Sequence, residues 1–212
     1  SGPNCPCYNP SMGSFIWIIL AVGAYGTLHS LLASRRAKTL AERWLGEPGK
    51  RFYRLFFSIQ AGVTFLPVLA AVYFLPDASI YTLPPPWRQI ALGLQGACTA
   101  GIALTLIQTG ALAFLGLDAF RKPNHRMGTP SLQVGGLYRM VRHPVYTLSI
   151  LLLFLTPTMT WNWLGLAVGA SLYMILAIPL EEDKLVEEFG EAYGKYQHRV
   201  PALVPGFRPR RG

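Results

Sequence analysis

From Pro144 to Leu180 the chain runs 37 residues without a formally charged side chain. As one helix, rising about 1.5 Å per residue, such a run would be roughly 55 Å long, nearly twice the ~30 Å of bilayer hydrocarbon. It must fold back on itself. Thr156 to Trp163 (TPTMTWNW) supplies the break, because Pro157 interrupts the helical hydrogen-bond ladder and Trp161 and Trp163 suit the aromatic belt at a membrane interface. The first arm, Val145 to Thr156, is short, so it is expected either to be extended by Tyr138 to Pro144 or to enter at a tilt. Ser14 to Ala33, Leu55 to Leu75 and Gln89 to Leu117 are also free of formal charge, and each reaches the roughly 20 residues that a spanning helix needs. With 51% of residues hydrophobic and 14% charged, a soluble domain of this length could not be clothed in polar surface. The expected fold class is all-α: a polytopic membrane protein with about five transmembrane helices, a cytoplasmic carboxyl-terminal helix and a cofactor pocket.

A formal charge of +9 invites a nucleic-acid reading, and the distribution of that charge argues against it. Of nineteen Lys and Arg, seven lie from Arg35 to Arg54, five from Arg121 to Arg142, six from Lys184 onward, and Arg88 alone falls between the second and third spans. A five-helix path puts the three basic segments on one side, which the positive-inside rule makes cytoplasmic. The expected location is a bacterial cytoplasmic membrane, with the amino terminus outside and the carboxyl terminus in the cytoplasm. The expected partners are membrane lipid and a small substrate, with no nucleic acid; the sequence leaves the oligomeric state open.

Cys5, Cys7 and Cys98 are too few for a disulfide framework, and one Cys-Pro-Cys is not a zinc site, so no metal is expected. Cys98 reads as a small core residue of the third span. Residues 1–13 read as an external tail or a vestige of cloning, residues 14–120 as a three-helix membrane region, and residues 121–212 as the hairpin and tail that form the cofactor-binding region. No repeat, low-complexity tract or soluble domain stands out.

Chemistry therefore falls to helix ends and cytoplasmic loops. Arg142-His143-Pro144 opens the first arm of the hairpin, where proline suits the first helical position and the following N–H groups favour an anion. Arg142 adds a fixed cation and His143 a switchable donor or acceptor, although the same three residues would also serve as a basic interfacial anchor. At the far end of the hairpin, Glu181, Glu182 and Asp183 follow Pro179-Leu180 at an expected helix end, where the dipole disfavours acids. A carboxylate there could bind a ribose diol, an amine or a sulfonium. Asp183, Glu187, Glu188 and Glu191 read as solvated. Tyr193 and Tyr196 are spaced to fold back onto the bundle, and Pro201 and Pro205 end the helix.

The pattern R-H-P-x-Y, a hydrophobic hairpin, E-E, then F-G-x-x-Y-x-x-Y and V-P-x-x-x-P resembles the membrane methyltransferases related to isoprenylcysteine carboxyl methyltransferase and phospholipid methyltransferases. Its residues are Arg142, His143, Pro144, Tyr146, Glu181, Glu182, Phe189, Gly190, Tyr193, Tyr196, Val200, Pro201 and Pro205, within Thr129 to Phe207. The amino-terminal half, with LHSLLASRRAK at Leu28 to Lys38, YRLFF at Tyr53 to Phe57 and FLGLDAF at Phe114 to Phe120, is similar to NnrU-like membrane proteins and more loosely to bacterial thiol methyltransferases. The resemblance implies S-adenosylmethionine, bound at the cytoplasmic face. The chain has no G-x-G-x-x-G after a strand, so a Rossmann cofactor fold is not expected. Carried over by position, the cofactor residues are Ser131, Leu132, Gln133, Tyr138, His143, Pro144, Val145, Tyr146, Glu181, Glu182 and Tyr193.

One position departs from the pattern. Isoprenylcysteine enzymes place an arginine one turn before the first glutamate, and here Ala177 stands there. That speaks against a prenylated cysteine carboxylate and for a neutral, thiol or lipid acceptor. Methyl transfer needs positioning and a dry pocket, and a thiol acceptor reacts as its thiolate. The candidate catalytic residues are Arg142 and His29, with His143 also able to favour a thiolate; His29 is an ionisable residue within a span, and an interfacial histidine bonded to a neighbouring helix explains it equally well. Two other functions fit the pattern: a noncatalytic NnrU-like membrane subunit, and a membrane NADPH-dependent reductase of the sterol-reductase type.

Overall fold

A computed structural model describes residues 10–111, 115–120 and 132–206. The first helix, α1 (Pro10–Leu32), turns sharply through Ala33 and Ser34 into α2 (Arg35–Phe74), which Ser34 caps by accepting from the Ala37 N–H. Gly46, at φ 63°, breaks α2 between a polar first part and its apolar span. A short strand β1 (Ser79–Thr82) leads to α3 (Trp87–Gln108), and the hairpin follows as α4 (Pro144–Phe154), β2 (Thr158–Thr160) and α5 (Trp161–Phe189). The last helix is α6 (Glu191–Arg199).

Among the described residues, α1, the latter part of α2, α3 and α5 are long and apolar enough to cross a membrane. Their outward side chains, including Leu20, Phe56, Ile59, Val63, Leu104 and Leu176, are exposed apolar groups that suit lipid and not water. The chain is a helical membrane protein.

The expected five-helix path is followed with two differences. The arm α4 has 11 residues, about 17 Å at the helical rise, and so crosses only part of the hydrocarbon. No continuous helix extends it backwards: Gly136–Arg139 is a separate 3₁₀ turn, and His143 has φ −120°, ψ 66°. Pro144 accounts for that break, because its ring disfavours helical backbone in the residue before it. The third span ends at Gln108, short of Leu117, where Gly110 takes φ 85° and stops the helix.

Packing between α1 and α5 depends on small residues. A Cβ at Gly165 would stand 3.1 Å from the Phe15 carbonyl oxygen, and one at Gly169 would stand 3.1 Å from the Val22 Cβ. Four residues apart on α5, these glycines let the backbones approach as small-xxx-small pairs do in bilayers. Gly26 returns the arrangement from α1, lying against the Tyr173 ring. Ile18 and Val22 of α1 and Leu166 of α5 are buried at this contact, and Val68 of α2 completes the cluster.

The connections define two ends. At one, β1 and β2 pair antiparallel, and fully buried Asn162 donates to the carbonyls of Val72 and Leu75 while its own N–H is taken by Asp77. Arg88 lies at this end, in the first turn of α3. At the other end Tyr53 donates to the Leu32 carbonyl, Lys184 to the Ala33 carbonyl, and Arg35 pairs with Glu187. The described parts of all three basic segments gather there.

Candidate functional site

The helix α5 continues past Glu181 and Glu182 to Phe189. The two carboxylates are therefore about two turns inside the helix and clear of its terminal dipole, contrary to the sequence expectation. Successive residues point about 100° apart, so the pair divides between two environments.

Glu182 faces inward and its side chain is 6% exposed. Its Oε1 accepts from Arg142 Nε at 2.6 Å and lies 3.1 Å from His143 Nε2, while its Oε2 accepts from Gln197 Nε2 at 2.9 Å. Arg142 also donates through Nη1 to the Gln197 carbonyl at 3.0 Å and the Val200 carbonyl at 2.5 Å. One arginine thus joins the start of α4, the end of α5 and the end of α6. Backbone pairing completes the clamp: Arg142 N–H donates to the Pro201 carbonyl, His143 N–H to the Ala202 carbonyl, and the Thr147 hydroxyl to the Leu203 carbonyl.

Glu181 stands in a different environment. Its side chain is 46% exposed, yet among the described residues its shielded Oε2 has no hydrogen-bond partner. His143 Nδ1 lies 3.6 Å from that oxygen, an ion-pair separation too long for a hydrogen bond. Tyr146 stacks on His143 with ring centroids 5.4 Å apart and 13° between planes, and its hydroxyl faces the Glu181 carboxylate. Both nitrogens of His143 face carboxylates, and only the protonated ring donates from both. Burial opposes that charge, but the Glu182 hydrogen bond and the charges of both carboxylates outweigh it and hold the His143 pKa above its ordinary value. With His143 protonated, two cations face two carboxylates and the cluster is formally neutral.

Tyr138 closes the near side, its pKa raised by burial and then by the charge of Glu181. The Tyr196 hydroxyl donates to the Tyr138 carbonyl at 2.6 Å, and Tyr193 packs on Tyr196 at 5.8 Å with its own hydroxyl buried and unpartnered among the described residues. The tail thus folds back onto the bundle.

Of the residues that the sequence nominates, the structure brings together Arg142, His143, Pro144, Tyr146, Glu181, Glu182, Tyr138 and Tyr193. Val145 is half-buried on the first turn of α4, and Leu132 is half-buried ahead of the 3₁₀ turn. Gln133 is exposed and donates to the Gln108 carbonyl, so its hydrogen bond goes to the end of α3 instead of the Glu181 cluster. Ser131 lies outside the described residues. His29 sits apart, among the rings of Tyr25, Phe57 and Tyr173. Asp183, Glu187, Glu188 and Glu191 are exposed, and Glu187 and Glu191 pair with Arg35 and Lys195. Gln197 carries no motif in the sequence, and its one signal is that it shares the inward face of α6 with Tyr193 and Tyr196 by helical spacing. The aromatic surround of His29 has no local signal, because its members come from three separate helices.

A family profile described as "Protein of unknown function (DUF1295)" matches residues 27–200. Over 196 residues the chain is 28% identical to methanethiol S-methyltransferase 1 of Bradyrhizobium diazoefficiens, covering 88% of this chain and 65% of that protein. It is 38% identical over 96 residues to the methanethiol S-methyltransferase of Pseudomonas deceptionensis, 45% of this chain and 36% of that one. With that of Mycobacterium tuberculosis it shares 26% identity over 193 residues, 88% of this chain and 76% of the other. The chain thus spans less than two thirds of the length of the first two relatives. No solved structure matches it.

Proposed function

We propose, from the premise that this chain belongs to the DUF1295 family, that it is an integral membrane methyltransferase carrying a methyl group from S-adenosylmethionine to a small thiol. The observation that carries the cofactor half of this reading is the Glu181 carboxylate, with one oxygen shielded and without a hydrogen-bond donor beside the stacked His143 and Tyr146 rings. A shielded acceptor without a donor is costly unless a ligand supplies one, and the ribose hydroxyls or ammonium of S-adenosylmethionine would do so. The relatives' names support the acceptor half. Ala177 adds to it, since no arginine stands there to meet a substrate carboxylate.

When bound, S-adenosylmethionine supplies an electrophilic methyl carbon on a sulfonium. The chain's own residues do the positioning. Glu181 would hold the donor groups, while Tyr138 and Tyr146 would offer ring faces to its cationic end. Glu182 touches no ligand in this reading: with Arg142 and Gln197 it fixes His143, and through His143 the orientation of Tyr146 and Glu181. Neutralising the two cations with two carboxylates avoids net repulsion of a sulfonium. The positive-inside rule puts the end with this cluster in the cytoplasm, which gives an outside amino terminus and a cytoplasmic carboxyl terminus.

Calorimetry on the full chain in lipid nanodiscs tests the cofactor assignment. S-adenosylmethionine should give a single saturable site. Absence of binding heat from intact protein would favour the noncatalytic subunit, and preferential NADPH binding would favour the reductase.

A further inference from the structure

A second group of shielded polar atoms lies deeper between the helices. His29 on α1 is surrounded by the rings of Phe57 at 4.6 Å, Tyr25 at 5.5 Å and Tyr173 at 6.2 Å between centroids, and Phe65 backs Tyr25 at 5.1 Å. These rings come from α1, α2 and α5. Within this box, among the described residues, the buried His29 Nδ1 has no hydrogen-bond partner. Gln60 lies one turn from Phe57 on the same face of α2. Its amide donates to Thr64, and its buried Oε1 is likewise unpartnered among the described residues. Two unmet polar atoms beside aromatic walls inside a bilayer call for an occupant.

The box also connects to the site above. Tyr173, Ala177 and Glu181 recur every four residues on α5 and share one face. Tyr173 is within electrostatic range of Tyr25 on one side and of Tyr146 on the other, and Tyr146 faces Glu181. Ala177 puts only a methyl between the two polar levels.

We propose that this box is the acceptor site, that it takes a small apolar thiol, and that His29 Nδ1 receives the thiol proton. Ring edges attract divalent sulfur, and a neutral imidazole with a free acceptor nitrogen meets the weak S–H donor. The sulfur gives its proton to Nδ1 and forms a bond to a methyl carbon whose bond to a sulfonium sulfur breaks, the electron pair staying on that sulfur. The imidazolium then returns the proton to water. His29 is on this account a catalytic base and Phe57 a determinant of acceptor size. The inference rests on the methyltransferase reading above and deepens it.

The test uses the full chain in nanodiscs and two variants, His29→Phe and Phe57→Ala. In wild type, ethanethiol added without any methyl donor should shift the ring resonance of His29, identified by its loss in His29→Phe. His29→Phe should bind S-adenosylmethionine within about twofold of wild type while thiol methylation falls by roughly 10²-fold or more and loses its acid-side pH dependence. Phe57→Ala should move the preference towards longer alkanethiols through KM. Thiol methylation by His29→Phe at the wild-type rate, or a His29 resonance indifferent to ethanethiol, overturns the inference and leaves the methyltransferase reading standing. A wild-type protein that binds S-adenosylmethionine but methylates no thiol overturns both. Should His29→Phe not fold, the Phe57→Ala selectivity decides, and an unchanged preference among alkanethiols in that variant overturns the inference.

Discussion

Replacing Glu182 with Ala should destabilise the protein by roughly 3–5 kcal/mol, because removing one partner of a buried ion pair leaves the others charged and unpaired. Here the loss is compound: Arg142 Nε, His143 Nε2 and Gln197 Nε2 all lose their acceptor together. A fall in melting temperature on the order of 10 °C follows for a chain of this size. Release of α6, which Arg142 joins to the hairpin, should expose the tail from Glu191 to proteolysis. Thermal denaturation and limited proteolysis in nanodiscs read both effects, and unchanged melting with an uncleaved tail would show that the clamp is dispensable. The same cluster sets a pH dependence. The His143 pKa is raised in the folded chain, so its contribution is complete below about pH 6.5, the unfolded value, and fades as pH rises through the folded value. Melting temperature should therefore decline as pH rises through the folded value of His143, and less so in Glu182→Ala.

Replacing Glu181 with Ala should have the opposite signature. Its carboxylate is half-exposed and not part of the Arg142 clamp, so melting should change little and the protein should stay monodisperse. A charge-assisted hydrogen bond of about 1.5–3 kcal/mol corresponds to roughly 10–100-fold in affinity, and loss of two such bonds would take S-adenosylmethionine binding below detection. Undiminished affinity by calorimetry would remove Glu181 from the cofactor site. The adjacent glutamates thus make a matched experiment: one variant loses stability and the other loses ligand.

That division of labour was only partly legible in the sequence. The charge-free run from Pro144 to Leu180 and the break at Pro157 locate the hairpin because hydrocarbon thickness admits few alternatives. The R-H-P-x-Y and E-E segments meet because a hairpin brings its two mouths together. What the sequence leaves open is which glutamate turns inward. A rotation of about 100° separates them, and the choice depends on Gln197 and the Val200 carbonyl, which arrive from a tail whose path hydropathy does not specify. The length of α4 was also ambiguous, since Tyr138 to Pro144 could continue a helix until the conformation of His143 excludes it. Gly165 and Gly169 had a readable small-xxx-small spacing, but spacing alone does not identify α1 as the partner. The box around His29 had no local signal, because Tyr25, Phe57 and Tyr173 are brought together only when three helices pack.

The proposed activity, transfer of a methyl group to a thiol, has a direct assay. Incubating the nanodisc-embedded full chain with S-adenosylmethionine labelled in its methyl group, against a panel of small alkanethiols, prenylated cysteines and phospholipids, tests it most directly. Label is expected in volatile thioethers and absent from prenylcysteine esters, with transfer lost in Glu181→Ala. Label appearing only in a carboxyl ester or a phospholipid headgroup, or in no product while S-adenosylmethionine is bound, would contradict it.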